Sequence, residues 1–157
     1  MWGRKKQDTV TSTQVDPATP ALVVEPLDAD WTENLTRMRE WVASCVAGND
    51  PPLDLAHVPT ALSVIDALLA DGIRADETWK LQALGAVLGD AMARDLGVPW
   101  RLVTDQWGAT LGLHLGGEIV AYPLTMIAKR VEAGEPVDVR TLFVTATDHV
   151  RGLLAQS

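Results

Sequence analysis

The sequence predicts an α+β fold in which helices pack on one face of a small three-stranded antiparallel meander, in the order helix-helix-helix-strand-strand-strand-helix-helix. Three observations carry this reading. Apolar residues recur at helical spacing from Trp31 to Leu96, the period changes to two between Pro99 and Tyr122, and helical spacing returns after Pro123. Glycine- and proline-bearing turns mark each change.

A chain of 157 residues suits one domain, expected here over residues 28–157. Residues 1–27 are expected to form a mobile tail, since the prolines of "VDPATPALVVEP" forbid a helix. Within it, "ALVVE" has strand character and can instead add to a sheet edge, on this protein or on a partner. No apolar segment follows Arg4, Lys5 and Lys6, so no secretory signal is expected and the protein reads as cytoplasmic. The longest apolar runs fall well short of the ~20 residues of a membrane span. The single cysteine, Cys45, has no intrachain disulfide partner and reads as a small buried apolar residue.

The first helix is expected from about Trp31 to Val46, with Asp30 as N-cap and Leu35, Met38, Val42 and Cys45 as its apolar stripe. A shorter one follows from Pro59 to Ala70, with Leu62, Ile65, Leu68 and Leu69 on one side and Asp71-Gly72 as its stop. Asp76 is the expected cap of the central helix, whose Leu81, Leu84, Leu88, Ala91, Met92 and Leu96 precede the stop at Gly97. Gly85 and Gly89 interrupt that helix at a cost of about 1 kcal/mol each relative to alanine. Both border the buried stripe, which predicts a neighbouring element packed close to the backbone.

In the strand region, Gly116-Gly117 reads as a two-residue hairpin loop, placing Leu113 opposite Val120 and His114 opposite Ile119. A preceding loop at Gln106-Trp107-Gly108-Ala109 would set Asp105 opposite Thr110 and Trp100 opposite Leu115. Trp100, Leu102, Leu111, Leu113, Leu115 and Val120 then share the helix-covered face, while Arg101, Asp105 and His114 lie on an open one. After the sheet, Pro123 starts a helix with Leu124, Ile127, Ala128 and Val131 inward and Gly134 at its end. Asp138 caps the last helix, which turns Val139, Leu142, Phe143, Ala146 and Val150 inward.

Thirteen Lys and Arg face twenty-one Asp and Glu, a net charge of −8. Without Arg4, Lys5 and Lys6, the same twenty-one acidic residues face ten basic ones, so the body is more acidic still. Such a body repels phosphate backbones and excludes nucleic acid as the main partner, whereas a basic protein fits it. His57, His114 and His149 are too scattered for a metal site, no serine stands in a G-x-S-x-G context, and neither G-x-G-x-x-G nor G-x-x-x-x-G-K-[ST] occurs. No metal and no cofactor are expected. The one acid-base pairing on a shared face is Asp105 with His114, near Arg101, at a spacing too long for a catalytic pair. Lys129 and Arg130 sit at the negative end of a short helix, where cations are stabilising without a ligand, and they point about 100° apart.

From Leu81 to Phe143 the sequence resembles a bacterial family, domain of unknown function 3806. The glycine-bearing helix "LGAVLGDAM", the strand "PWRLVTDQWG" and above all "YPLTMIAKRVEAGEPVDVRTLF" carry the likeness. It implies a cytoplasmic bacterial protein with a small α+β domain and no assigned catalytic residues. Gly85, Gly89, Trp100, Asp105, Gly108, Pro123, Met126, Lys129, Arg130 and Gly134 fall on family-like positions.

Two functional readings follow. The first is a non-enzymatic protein-interaction module, adaptor or immunity-like, binding another protein through its acidic surface, the open sheet face or the tail. The alternative is a binder of an anionic small molecule, or an enzyme, at the strand-helix junction near Pro123, using Lys129 and Arg130 with Arg101, Asp105 and His114. A homodimer through the open edge of the third strand is a further expectation.

Overall fold

The computed structural model describes residues 10–12 and 22–156 of the chain. The elements are β1 (Val10–Ser12), β2 (Val23–Glu25), α1 (Ala29–Cys45), α2 (Val58–Ala70), α3 (Thr78–Leu96), β3 (Trp100–Asp105), β4 (Gly108–Gly116), β5 (Ile119–Ala121), α4 (Pro123–Glu132) and α5 (Val139–Ala155). The fold is α+β, as the changes of period predict. No helix among the described residues is long and apolar enough to cross a membrane.

The strands form one antiparallel sheet in the order β1-β5-β4-β3-β2. The expected meander β3-β4-β5 forms its middle, but a three-stranded sheet is too small. Val23–Glu25 pairs with β3 and Val10–Ser12 pairs with β5. The second reading of "ALVVE", strand addition, is therefore the one the fold adopts. The reason is that β3 and β5 would otherwise each present a row of unpaired amides and carbonyls. The edge of β5, expected to be open to a second copy, is occupied by β1. The rest of the expected tail up to residue 21 lies outside the described residues.

Helix α3 is the centre of the molecule, buried almost continuously from Ala83 to Met92, and it packs against α1, α2, α4 and α5. Small residues on several faces allow this, because a helix with close neighbours on every side has little room for long side chains. Its N-cap position is Glu77 rather than Asp76. Glu77 accepts from Arg74 N at 2.9 Å and pairs with Lys80 at 2.7 Å, and the Lys80 contact is the main reason its carboxyl is held below the usual range. Gly97, with φ of 73°, closes the helix as expected.

Helix α1 begins earlier than its sequence signal, capped by Asp28, whose Oδ1 accepts from Trp31 N at 2.9 Å, and not by Asp30. Leu35, Met38 and Val42 are buried as the stripe predicts, but Cys45 is exposed. It is the last residue of the helix and borders an open cleft, so the stripe runs past the edge of its cover.

In α5, Val139, Leu142, Phe143, Ala146 and Val150 are all buried. Asp138 caps it by accepting from Thr141 N at 3.1 Å, and these hydrogen bonds to Thr141 hold its carboxyl below the ordinary value. A folded-state value lowered in this way contributes stability above the unfolded-state value that is lost as pH falls through the folded one. Asp138→Ala is thus expected to lower the melting temperature at neutral pH, with the difference from the parent shrinking in acid. Asp138→Asn, which keeps the acceptor, is expected to retain most of the cap. Equal melting temperatures for the alanine and parent proteins at pH 7 would remove the capping role.

The strand registers differ from those read off the turns. Asp105 pairs with Gly108, Leu102 with Leu111 and Trp100 with Leu113, so the β3-β4 loop is the two-residue Gln106-Trp107 and not the four-residue loop expected. Gly108, at φ 122°, lets the chain reverse early, and Asp105 Oδ1 braces the turn by accepting from Trp107 N at 2.7 Å. Between β4 and β5, Leu113 pairs with Ala121 and His114 with Val120, and the register slips between His114 and Gly116. A one-residue slip exchanges the faces of a strand. Ile119 and Ala121 therefore join the helix-covered core, while Val120 moves to the opposite face.

Candidate functional site

The residues singled out from the sequence separate into packing groups and one cleft. Gly85 and Gly89 belong to the packing. A Cβ at Gly85 would lie 2.7 Å from the carbonyl oxygens of both Pro123 and Leu124, and one at Gly89 would lie 2.2 Å from the Trp100 ring and 2.9 Å from Pro123. Both glycines let α4 and the start of β3 seat directly on the α3 backbone. Gly134, at φ 74°, ends the α4 region in the left-handed conformation.

Trp100 also leads to a polar group that the sequence gives no sign of. Its Nε1 donates to Asp90 Oδ1 at 2.9 Å, and the same carboxylate receives Arg39 Nε and Nη2, each at 2.8 Å. This fork ties α1 to α3 and β3, and the hydrogen bond to Asp90 pushes the Arg39 guanidinium further toward its charged form. No local spacing could have found it, because Arg39 and Asp90 stand 51 residues apart.

The proposed sheet-face set does not assemble. Arg101 pairs across to Gly112 rather than to His114. Asp105 pairs with Gly108, so His114 lies six residues further along β4, about 20 Å at strand spacing. Asp105 is engaged by Trp107 N and lies 3.5 Å from the Tyr122 hydroxyl. His114 Nε2 donates to the Gly117 carbonyl at 2.9 Å, closing its own hairpin. The face expected to be open carries a second small apolar cluster of Val103, Val120 and Tyr122, with Leu22 against it. That face is not a wet surface along its whole length.

Lys129 and Arg130 occupy the last turn of α4, as predicted, and both are half-buried. Arg130 Nη1 donates to the Met126 carbonyl at 2.9 Å, one turn back on the same helix, which folds the guanidinium along α4. Arg130 also borders a cleft of about 390 Å³ shared with Thr141, Thr145 and His149 of α5. Those three α5 residues recur every fourth position and so stand on one helical face. His149, a plain surface residue by its local sequence, is thus placed near Arg130.

The charged surface is arranged in short-range pairs. Arg37 meets Glu33, Arg39 meets Asp90, Lys80 meets Glu77, and Arg151 meets Asp95, at 2.5 to 2.8 Å. Arg74 meets Asp76 at 3.1 Å. Exposed Asp30, Glu40, Asp71, Glu132 and Glu135 stand outside the pairs formed among the described residues. Among the described residues no His, Cys, Asp and Glu group could hold a metal ion.

The model for the domain of unknown function (DUF3806) matches residues 62–143, just over half of the chain. The chain belongs to the DUF3806 family. The DUF3806 region runs from α2 through the α3-α4 packing and the meander to the start of α5, so it begins earlier than the likeness visible from Leu81. It contains Gly85, Gly89, Asp90, Trp100 and Pro123, the residues that join α3 to β3 and α4. A crystal structure from Bacteroides thetaiotaomicron VPI-5482 is similar to this DUF3806 chain with a TM-score of 0.66 at 18% identity, covering 88% of this chain and 52% of that one. The present chain thus spans about half the length of that protein, and the likeness is one of fold. No curated protein matches.

Proposed function

We propose that this protein is a non-enzymatic interaction module, adaptor or immunity-like, that binds a basic protein partner through its acidic surface. The observation that carries the reading is the arrangement of charge: Arg37, Arg39, Arg74 and Arg151 are each matched by a carboxylate, and against the exposed, unpaired Arg94 and Arg140 stand more acidic residues, Asp30, Glu40, Asp71, Glu132 and Glu135, exposed and outside any ion pair among the described residues. Such a field steers a basic partner and speeds encounter. The dispersal of Arg101, Asp105 and His114 supports the same reading, since a catalytic pair needs hydrogen-bond reach.

Affinity purification from the native host, followed by salt titration of the captured complex, tests this. A stoichiometric basic partner whose complex weakens steeply between about 0.1 M and about 1 M salt is the expected result. Glu132→Lys with Glu135→Lys should weaken it further. Failure to recover a stoichiometric partner, or a complex indifferent to salt, would sink the reading.

A second reading rests on the cleft at Arg130. Thr145 and His149 supply a hydroxyl and an imidazole to the cleft that Arg130 lines, a set suited to a small anion that keeps clear of Asp138, whose carboxylate lines the same cleft and holds Thr141. Thermal-shift measurements with phosphorylated and carboxylated metabolites distinguish the two readings. Stabilisation at about 1 mM ligand that disappears in Arg130→Gln favours the anion site, and its absence favours the protein interface.

A further inference from the structure

A second cleft, of about 480 Å³, lies between the end of α1 and the outer face of α2, within the size range of about 300–1,000 Å³ usual for small-molecule sites. Its walls are apolar where Val46, Leu53, Val64 and Leu68 meet. Leu53 projects from the loop before α2 and is 38% exposed. A single exposed leucine would mean little, but this one faces other apolar side chains across an open cleft.

Arg140 of α5 stands among the lining residues. Its Nη2 donates to Ser63 Oγ at 2.7 Å and lies 3.5 Å from the Pro59 carbonyl. These contacts fix the guanidinium against α2. They use one of its three nitrogens, and Nε and Nη1 make no hydrogen bond or ion pair among the described residues. Unlike Arg37, Arg39, Arg74 and Arg151, Arg140 has no carboxylate within 4.0 Å among the described residues. Asp138, two residues away, caps Thr141, and the Arg140 charge also helps to lower its carboxyl, although the two side chains form no ion pair within 4.0 Å. A guanidinium held in place beside an apolar wall, with donors to spare, suits a planar carboxylate.

At the other end stands Asp71, eight residues beyond Ser63 and so about 12 Å along the helix direction. Its charge disfavours a second anionic group there. We propose that this cleft binds a medium-chain monocarboxylate, with the carboxylate on Arg140 and the chain lying along Val46, Leu53, Val64 and Leu68 toward Asp71. This site is distinct from the Arg130 cleft and shares only Asp71 with the exposed, unpaired acidic residues named above.

The test is a titration of the isotopically labelled full chain with octanoate, octan-1-ol and octanedioate, read by amide chemical shifts. Octanoate should shift the Leu53, Ser63, Ala67 and Leu68 amides saturably. Octan-1-ol and octanedioate should bind at least about ten-fold more weakly, the first lacking the carboxylate and the second meeting Asp71. Arg140→Gln should weaken octanoate about ten-fold while changing octan-1-ol by less than about two-fold. Shifts that do not saturate by about 10 mM, or equal octanoate affinity in parent and Arg140→Gln, overturn the proposal. Because Arg140 also ties α5 to α2, Asp71→Asn provides an independent arm in an exposed position. There the octanedioate affinity should rise toward that of octanoate, and an unchanged ratio of the two overturns the proposal as well.

Discussion

Gly85→Ala is expected to destabilise the protein by about 2 kcal/mol, although alanine is the better helix former. The intrinsic gain of about 1 kcal/mol is set against overpacking that costs up to about 3 kcal/mol. Overpacking wins because the added methyl would meet backbone, at 2.7 Å from two carbonyl oxygens and 2.8 Å from Leu124 Cα. Backbone cannot rotate aside as a side-chain tip can, so α4 as a whole would have to move. Gly89→Ala should behave similarly, since its methyl would enter the Trp100 ring and Pro123 already closes the other side. Gly152 provides the control. It lies in α5, where an added methyl would meet nothing within 4 Å, so Gly152→Ala should stabilise by up to about 1 kcal/mol. Urea unfolding followed by tryptophan fluorescence measures all three. If Gly85→Ala and Gly152→Ala shift the midpoint in the same direction, close packing at Gly85 is not the reason for the glycine.

Asp90→Ala is expected to cost about 3 kcal/mol, with Asp90→Asn costing less. The alanine leaves the Arg39 guanidinium without its partner and the Trp100 Nε1 without an acceptor. The figure sits at the low end for a broken ion pair because the Arg39 side chain is 40% exposed and water can reach it. Asparagine retains an acceptor for Trp100 but not the charge-assisted fork. A double-mutant cycle with Arg39→Met separates the ion pair from the tryptophan bond. If Arg39→Met alone costs as much as Asp90→Ala and the two add without coupling, the three groups do not act as a unit.

These residues are legible in the sequence to very different degrees. The glycines stand out as an anomaly, because two glycines in a strongly periodic helix require a reason, and close packing is the one the fold provides. Asp90 stands next to Gly89 without any local mark. A carboxylate at that position is compatible with solvent, a cap or an ion pair, and Arg39 becomes its neighbour only when α1 packs on α3. The same holds for Arg140, which meets Ser63 of α2 from 77 residues away, and for His149 beside Arg130.

The sheet shows where local signals mislead. Period two marks the strands and the turns mark their ends, but either of two loop lengths at Gln106-Trp107 satisfies the local chemistry. The slip between His114 and Gly116 is not readable from the glycines either. Once it is present, Val120 and Ile119 exchange faces, which is why Arg101, Asp105 and His114 are expected on a more open surface than the fold provides.

By itself the sequence determined the α+β class, the five helices, the meander, the inward stripe of α5 and the cap at Asp138. Each depends on residues within a few positions of one another, where periodicity, capping and turn propensity act. Tertiary structure alone decided the strand registers, the two added edge strands, the Arg39-Asp90-Trp100 group and the clefts at Arg130 and Arg140. These depend on groups brought together by burial of apolar surface over long separations, which leaves no local spacing to read.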